Sequence, residues 1–157
     1  LQPYNAAEAL LRWRAGGWEG TLVGGTEIGG AEFGVVAGEA AVFARFVTPY
    51  PLPSDLEGTE AWIDAYRDVG PHVPNPAYYS LPTYEAVYLV AEAVAAAIEG
   101  GGVPDRAGLG SVMTQVSRSG LLGDLSWDSE GYLASMPLHL YTWDPTLSRP
   151  LRVGWIR

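Results

Sequence analysis

The alternation of strand-like and helix-like segments is the feature that most constrains how this chain can fold. Strand patterns occupy 21–23 and 42–48, and helical spacing of apolar side chains recurs near 5–15, 57–69, 82–98 and 106–117. Such alternation predicts an α/β architecture with a largely parallel sheet. The final segments "MPLHLYTW" and "LRVGWI" are strand-like and predict an added antiparallel hairpin. Because a parallel sheet needs neighbouring strands, we expect the chain to be the later part of something larger.

Local signals predict where the helices begin and which faces they bury. Asn5 and Glu8 have the spacing of a capping box, and Gly16 ends the helix that follows. The longest helix is predicted from near Pro82, because proline is tolerated in a first turn, to Ile98. Its inward face is predicted to consist of Val87, Val90, Ala91, Val94 and Ile98.

The composition excludes several classes of function. The formal net charge is -9, which argues against a nucleic-acid or anionic-membrane partner. All nine basic residues are arginine, so P-loop and Schiff-base lysines are excluded. The chain has no cysteine, which excludes disulfides and thiol nucleophiles. No nucleophile with a base and no phosphate loop is recognisable, so we expect neither an enzyme nor a cofactor. We also find no apolar run close to the ~18 residues of a membrane span.

The stretch "LVGGTEIGG" at 22–30 places one acid, Glu27, in a glycine-rich loop directly after a strand. A carboxylate at the C-terminal end of such a strand points into the crevice where open α/β sheets bind ligands. Glycines would let the backbone approach that ligand closely. The alternative is a solvated acid in a surface loop, because most loop acids have no ligand. The glycine spacing is not G-x-G-x-x-G, so a dinucleotide site is poorly supported.

A metal site is not expected. His72 lies among prolines and His139 lies in a strand, and neither has an organised set of carboxylates nearby in the sequence. Asp124, Asp128 and Glu130 cluster near a hairpin turn, but a calcium loop needs a longer series of ligands. A solvated turn is the better interpretation of these three acids.

Aromatic residues line cores and ligand pockets alike, so each needs its own interpretation. Trp62 and Tyr66 stand at helical spacing and are expected in the core. Trp127 in the predicted hairpin is expected to be a packing residue. Tyr79 follows Tyr78 just before the longest helix, where both a pocket and a core position remain open.

Five stretches, taken in order, resemble type I periplasmic substrate-binding proteins of ABC transporters. They are "LLRWRAGGWEGTLVGGTE", "AGEAAVFARFVTPY", "WIDAYRDVG", "YYSLPTYEAVYLVAEAV" and "GLLGDLSWDSEG" followed by "LHLYTW". These resemble the family's helix–turn–strand unit, its approach to the interlobe hinge, two helices and a hairpin with the final strands. No single stretch is specific, but their order and spacing are. The resemblance covers the family's second half and is nearest to binding proteins for branched-chain amino acids and amides.

The resemblance implies parallel sheets flanked by helices, in two lobes joined by crossing segments. Residues 1–48 and the tail 142–157 would belong to the second lobe, and 52–137 to the first. Residues 49–51, within the stiff run "PYPLP", and 138–141 would form hinge crossings. Both lobes would be incomplete, because the missing N-terminal half of the same protein lies outside this chain. Unpaired sheet edges would then favour a homodimer by strand exchange.

The resemblance also implies a set of ligand-binding residues. Glu27 occupies the place where amino-acid-binding members pair an acid with the ligand's ammonium group. Tyr79 would form an aromatic wall around the ligand side chain, and Tyr84 matches the family's helix-start tyrosine. Thr26, where relatives often have proline, completes the candidate set. Glu85 replaces a frequent aspartate, and we expect this change to affect helix capping.

The resemblance implies an extracytoplasmic location, in the periplasm or outside the cell, where the complete protein could carry a lipid anchor. The protein would deliver an amino acid or related amide to an ABC transporter permease. The alternative is a ligand-sensing domain of a receptor or regulator with the same fold. The residues of this chain do not separate the two.

Overall fold

The structure is a computed structural model that describes residues 2–71, 75–101, 105–134, 136–144, 146 and 149–156. Its helices are α1 (Pro3–Ala15), α2 (Ala31–Ala37), α3 (Glu60–Arg67), α4 (Ser80–Glu99) and α5 (Arg106–Met113). Its strands are β1 (Leu22–Gly24), β2 (Ala44–Thr48), β3 (Arg118–Gly120), β4 (Gly123–Leu125), β5 (Leu138–Asp144) and β6 (Arg149–Ile156). The chain divides into two compact units. We call Leu1–Pro51 with Pro137–Arg157 the sheet unit, and Leu52–Met136 the helical unit.

The sheet unit contains a four-stranded sheet in the order β1-β2-β5-β6. β1 pairs with β2 in parallel, whereas the β2–β5 and β5–β6 pairs are antiparallel. The α/β class and the closing antiparallel hairpin are therefore confirmed, but the sheet is mixed rather than largely parallel. The short connection between β5 and β6 accounts for one of the antiparallel pairs, because it allows antiparallel pairing alone.

The core of the sheet unit lies between its helices and the sheet. Phe46 and Tyr141 are opposite each other on β2 and β5, and their rings stack at 5.2 Å. Phe33 of α2 packs against Trp143 with ring centroids 5.9 Å apart. Helix α1 contributes small and aliphatic side chains to the buried set, namely Ala6, Ala7 and Leu10.

Helix α1 begins earlier than the sequence signals predict. Pro3 is its first residue and Gln2 precedes it without a side-chain cap. The capping box predicted from Asn5 and Glu8 is therefore wrong. Proline fits the first helical position, because its missing N–H would have no partner there. Glu8 instead accepts a hydrogen bond from the Tyr4 hydroxyl at 3.0 Å.

Helix α4 in the helical unit buries a different face from the one predicted. The buried side chains follow one another at intervals of four residues, namely Leu81, Glu85, Leu89 and Ala93. The predicted inward residues Val87, Val90 and Ile98 are exposed. Because the helix is apolar around most of its circumference, spacing alone could not select the buried face.

The same helix has the length and composition of a membrane span. It has 20 residues, and the mean hydropathy over a window of 18 residues is 1.3, although acids interrupt its apolar runs. The prediction that no such stretch exists is therefore wrong. A core helix of a soluble protein passes the same test, so composition alone does not assign α4 to a membrane.

The remainder of the helical unit is less deeply packed. Helix α3 has no fully buried residue, and Trp62 and Tyr66 are half-buried with their rings 5.4 Å apart. They are therefore less buried than the core position predicted for them. β3 and β4 form a small antiparallel hairpin, and half-buried Trp127 makes an isolated bridge with Leu133.

Candidate functional site

Glu27 lies on a single 3₁₀ turn, Thr26–Gly29, that follows β1 directly. The Ile28 amide donates to the Gly25 carbonyl and the Gly30 amide donates to the Glu27 carbonyl, both at 3.2 Å. The Glu27 side chain is exposed. Because β1 and β2 run parallel, this turn and the residues after β2 lie at the same edge of the sheet.

Two polar contacts from the sheet hold this turn in place. The Thr26 hydroxyl donates a hydrogen bond to Thr48 Oγ1, at the end of β2, with a distance of 3.0 Å. On the other side of Glu27, the Trp143 indole N–H donates to the Ile28 carbonyl at 2.8 Å in a buried position. A buried hydrogen bond is costly to break, because both groups would remain unsatisfied. The backbone around Glu27 is therefore fixed on both sides.

Two glycines make room for these contacts. A Cβ on Gly24 would overlap the side chain of Ile28, and a Cβ on Gly34 would overlap the Trp143 ring. The predicted reason for a glycine-rich loop, close approach of the backbone to a ligand, stays a prediction. At Gly24 the structure supplies a different reason, which is packing within the turn.

Tyr79 precedes α4 and is 54% exposed, whereas Tyr78 is buried. The sequence left both a pocket and a core position open for Tyr79. The structure places Tyr78, and not Tyr79, in the core. The Tyr79 carbonyl accepts hydrogen bonds from the Thr83 amide at 3.1 Å and the Thr83 hydroxyl at 2.7 Å. These bonds fix the backbone at the start of the helix and leave much of the Tyr79 ring accessible.

Tyr84 lies one turn further along α4, within a cluster of aromatic rings. Its ring meets Trp62 edge-on at 5.6 Å and Tyr88 edge-on at 4.9 Å. The Tyr84 hydroxyl donates to Tyr88 Oη at 3.4 Å, and this hydrogen bond raises the pKa of Tyr84 above its usual value. Tyr84 thus has packing partners within the helical unit.

Glu85 has a role that the sequence did not predict. It is 1% exposed, in the second turn of α4, and does not cap the helix, so the capping prediction is wrong. Its Oε2 accepts from Arg118 Nε and its Oε1 accepts from the Leu121 amide, both at 2.7 Å. A Cβ on Gly120 would overlap this carboxylate. Glu85 therefore fixes the β3–β4 hairpin against α4.

Arg118 extends this contact to a second acid. Its Nη1 donates to Glu92 Oε1 at 2.6 Å, and its guanidinium lies 4.4 Å from the centre of the Tyr88 ring. The hydrogen bonds to Glu85 and then to Glu92 raise the pKa of Arg118. The sequence signal for this group was an acid inside an otherwise apolar helix, "TYEAVYLV".

The structure brings the predicted site residues together as two pairs. Thr26 and Glu27 share one turn of the sheet unit, while Tyr79 and Tyr84 lie at the start of α4 in the helical unit. Their roles toward a ligand stay predictions. No group of three or more potential metal ligands occurs among the described residues. His139 is buried on β5, and His72, which was not expected to bind a metal, lies outside the described residues.

Comparison with known proteins identifies the family. A family model described as periplasmic binding protein matches residues 4–148. No curated protein sequence matches the chain significantly.

Solved structures have the same fold over nearly all of this chain. A leucine-binding protein of Thermotoga maritima is 18% identical with a TM-score of 0.81, covering 99% of this chain and 43% of its own. A branched-chain amino acid binding protein of Streptococcus pneumoniae, in complex with isoleucine, is 19% identical with a TM-score of 0.73, covering 99% and 42%. A solute-binding protein of R. palustris, in complex with benzoate, is 18% identical with a TM-score of 0.70, covering 96% and 39%.

The chain therefore spans less than half the length of these solved proteins. The family model matches most of the chain, and the resemblance found in the sequence is confirmed. This chain belongs to the periplasmic binding protein family.

Proposed function

We propose that this chain is part of a solute-binding protein that captures an amino acid and delivers it to an ABC importer. The family match supports the solute-binding role, and the observation that carries the ligand class is Glu27. Its carboxylate is exposed on a turn fixed on both sides, at the C-terminal ends of parallel strands. An ammonium group that leaves water needs an opposite charge and hydrogen-bond acceptors. Benzoate, bound by one relative, has no ammonium group, and an acid at this position would oppose such a ligand.

In this proposal the ligand is a branched-chain amino acid or a related amide, held between two lobes that close by hinge motion. Residues 1–48 and 142–157 belong to one lobe, 52–137 to the other, and 49–51 and 138–141 cross between them. Glu27 binds the ammonium group. Tyr79 packs against the ligand side chain, with Thr26 and Tyr84 beside these two residues. The protein binds its ligand without chemical conversion.

The proposed partners follow from the same role. The closed protein is recognised by the membrane permease of the importer, in the periplasm or at the outer face of the cell. The remaining part of the complete protein supplies the contacts to the ligand carboxylate. It also pairs with the edge of the sheet at β1, and a second copy of the chain is the other candidate for that edge.

The test is a charge-neutralising substitution in the complete protein. We expect Glu27→Gln to weaken leucine binding about a hundredfold, because one partner of a desolvated charge pair is lost. The matched control is Glu32→Gln, an exposed acid in the first turn of α2, which should leave the affinity within about threefold. Isothermal titration calorimetry measures both. Equal affinities of Glu27→Gln and the unmodified protein would overturn the assignment of the ammonium contact.

A further inference from the structure

Thr48 is a fully buried polar residue at the end of β2. The inward side chains of this strand are Ala44, Phe46 and Thr48, and each is 0% exposed. The first two are apolar, as expected of a strand that faces a core. A hydroxyl group in the third position is tolerated when its hydrogen-bonding groups are satisfied.

The Thr48 hydroxyl makes three hydrogen bonds. It accepts one from the Thr26 hydroxyl at 3.0 Å and one from the Tyr50 amide at 3.1 Å. It donates its own proton to the Tyr50 carbonyl, also at 3.1 Å. A threonine hydroxyl has one proton to donate and two lone pairs to accept with. All three are used, so Thr48 has no capacity left for a ligand.

The two partners of Thr48 belong to segments with different roles. Thr26 directly precedes Glu27 on its turn. Tyr50 lies in 49–51, the last residues of the sheet unit before the chain enters the helical unit. Pro51 follows Tyr50 and restricts the Tyr50 backbone, so we expect the amide and carbonyl groups of Tyr50 to move together. A displacement of Tyr50 would therefore break both of its bonds to Thr48 and free the Thr48 hydroxyl to rotate away from Thr26.

The other anchor of the turn does not depend on this segment. The Trp143 indole that holds Ile28 is buried on β5, packed against Phe33 and Gly34. One anchor of the turn, Trp143, is therefore fixed by the core. The other, Thr48, is shared with Tyr50 in residues 49–51.

We propose that Thr48 is a positioning residue that couples the conformation of residues 49–51 to the turn carrying Glu27. This inference rests on the proposed function. Its consequence is that the affinity of Glu27 for a ligand ammonium group changes when residues 49–51 move. Ligand binding at Glu27 and the conformation of residues 49–51 are then linked through the Thr48 hydroxyl group.

The affinity test uses leucine and the complete protein. We expect Thr48→Val to weaken leucine binding about tenfold, because isosteric valine makes none of the three bonds. Thr48→Ser, which restores the hydroxyl, should return the affinity to within about threefold. In a Glu27→Gln background Thr48→Val should add less than about twofold, since its effect acts through Glu27. A full tenfold loss in that background would overturn the coupling, and an unchanged affinity for Glu27→Gln alone would overturn the proposed function instead.

A second readout needs no ligand and also applies if Thr48→Val fails to fold. Thr26→Val removes the hydroxyl that donates to Thr48. Because Thr48 in turn accepts from the Tyr50 amide, we expect this variant to shift the NMR signal of that amide. Thr21→Val, at an exposed threonine just before β1, is the matched control and should leave the Tyr50 signal in place. If Thr26→Val and Thr21→Val leave the Tyr50 amide equally unchanged, the coupling is absent.

Discussion

The Glu27 turn and helix α4 are stabilised in contrasting ways. Every anchor of the turn described above comes from the sheet unit itself, through Thr48 on β2 and Trp143 on β5. Helix α4 buries a narrow face that includes an acidic side chain, Glu85, while Val90 and its apolar neighbours on the opposite side are exposed. The turn is thus anchored within its own unit, whereas the described residues of the helical unit leave an apolar face of α4 exposed.

The contrast shows how far the packing of each unit depends on chain outside it. Large apolar faces on a soluble protein mark places where something else packs. The chain spans 43% of the length of the Thermotoga leucine-binding protein, so a complete protein of that size has residues that could cover α4. We therefore expect substitutions at the Glu27 turn to act locally, and substitutions on the exposed face of α4 to act through the rest of the protein.

The largest effect is expected at Glu85. Glu85→Ala leaves Arg118 and the Leu121 amide without their buried partner, and should destabilise the protein by about 3 kcal/mol. Chemical denaturation of the complete protein measures this change. The control is Glu92→Gln, which alters the partly exposed acid on the same arginine and should cost less than about 1 kcal/mol. Similar losses for the two variants would show that the buried pair is not what fixes the β3–β4 hairpin.

A smaller effect is expected at Trp143. Trp143→Phe keeps an aromatic ring but removes the N–H that donates to Ile28, and should destabilise the protein by about 2 kcal/mol. It should also speed hydrogen exchange at the Ile28 and Gly30 amides of the Glu27 turn. Trp155→Phe on β6 changes an exposed indole and is the matched control. Unaltered exchange at the turn in Trp143→Phe would contradict the idea that the turn is held from two sides.

The smallest effect is expected on the exposed face of α4. If the rest of the complete protein covers this face, Val90→Ser should destabilise that protein by about 1–2 kcal/mol through loss of apolar burial. Val153→Ser on β6 starts from a similarly exposed valine and should stay within about 0.5 kcal/mol. Thermal unfolding of the two variants makes the comparison. A neutral result for Val90→Ser would mean that the face is exposed in the complete protein as well.

Local features of the fold were predictable from the sequence, and long-range ones were not. Alternating periodicity predicted the α/β class, and strand composition predicted the closing hairpin, because both signals lie within a few residues. Glu85 was misjudged because its partners Arg118 and Leu121 are 33 and 36 residues away along the chain. The bond from Trp143 to Ile28 spans 115 residues and leaves no local pattern.

The candidate site divides along the same line. Glu27 could be singled out because its position after a strand is a local signal. The anchors of its turn could not, because a tryptophan and a threonine in strands are compatible with ordinary packing. The buried face of α4 was also beyond prediction, since an apolar helix with two apolar faces gives spacing no basis for choosing one.

The most direct test of the account compares two ligands on the unmodified complete protein. Leucine and 4-methylpentanoate share a side chain and a carboxylate, and they differ in the ammonium group that Glu27 is proposed to bind. Calorimetric titration at neutral pH should show leucine binding at least about a hundredfold more tightly, as expected for a desolvated charge pair. Equal affinity for the two ligands, or tighter binding of 4-methylpentanoate, would contradict the account.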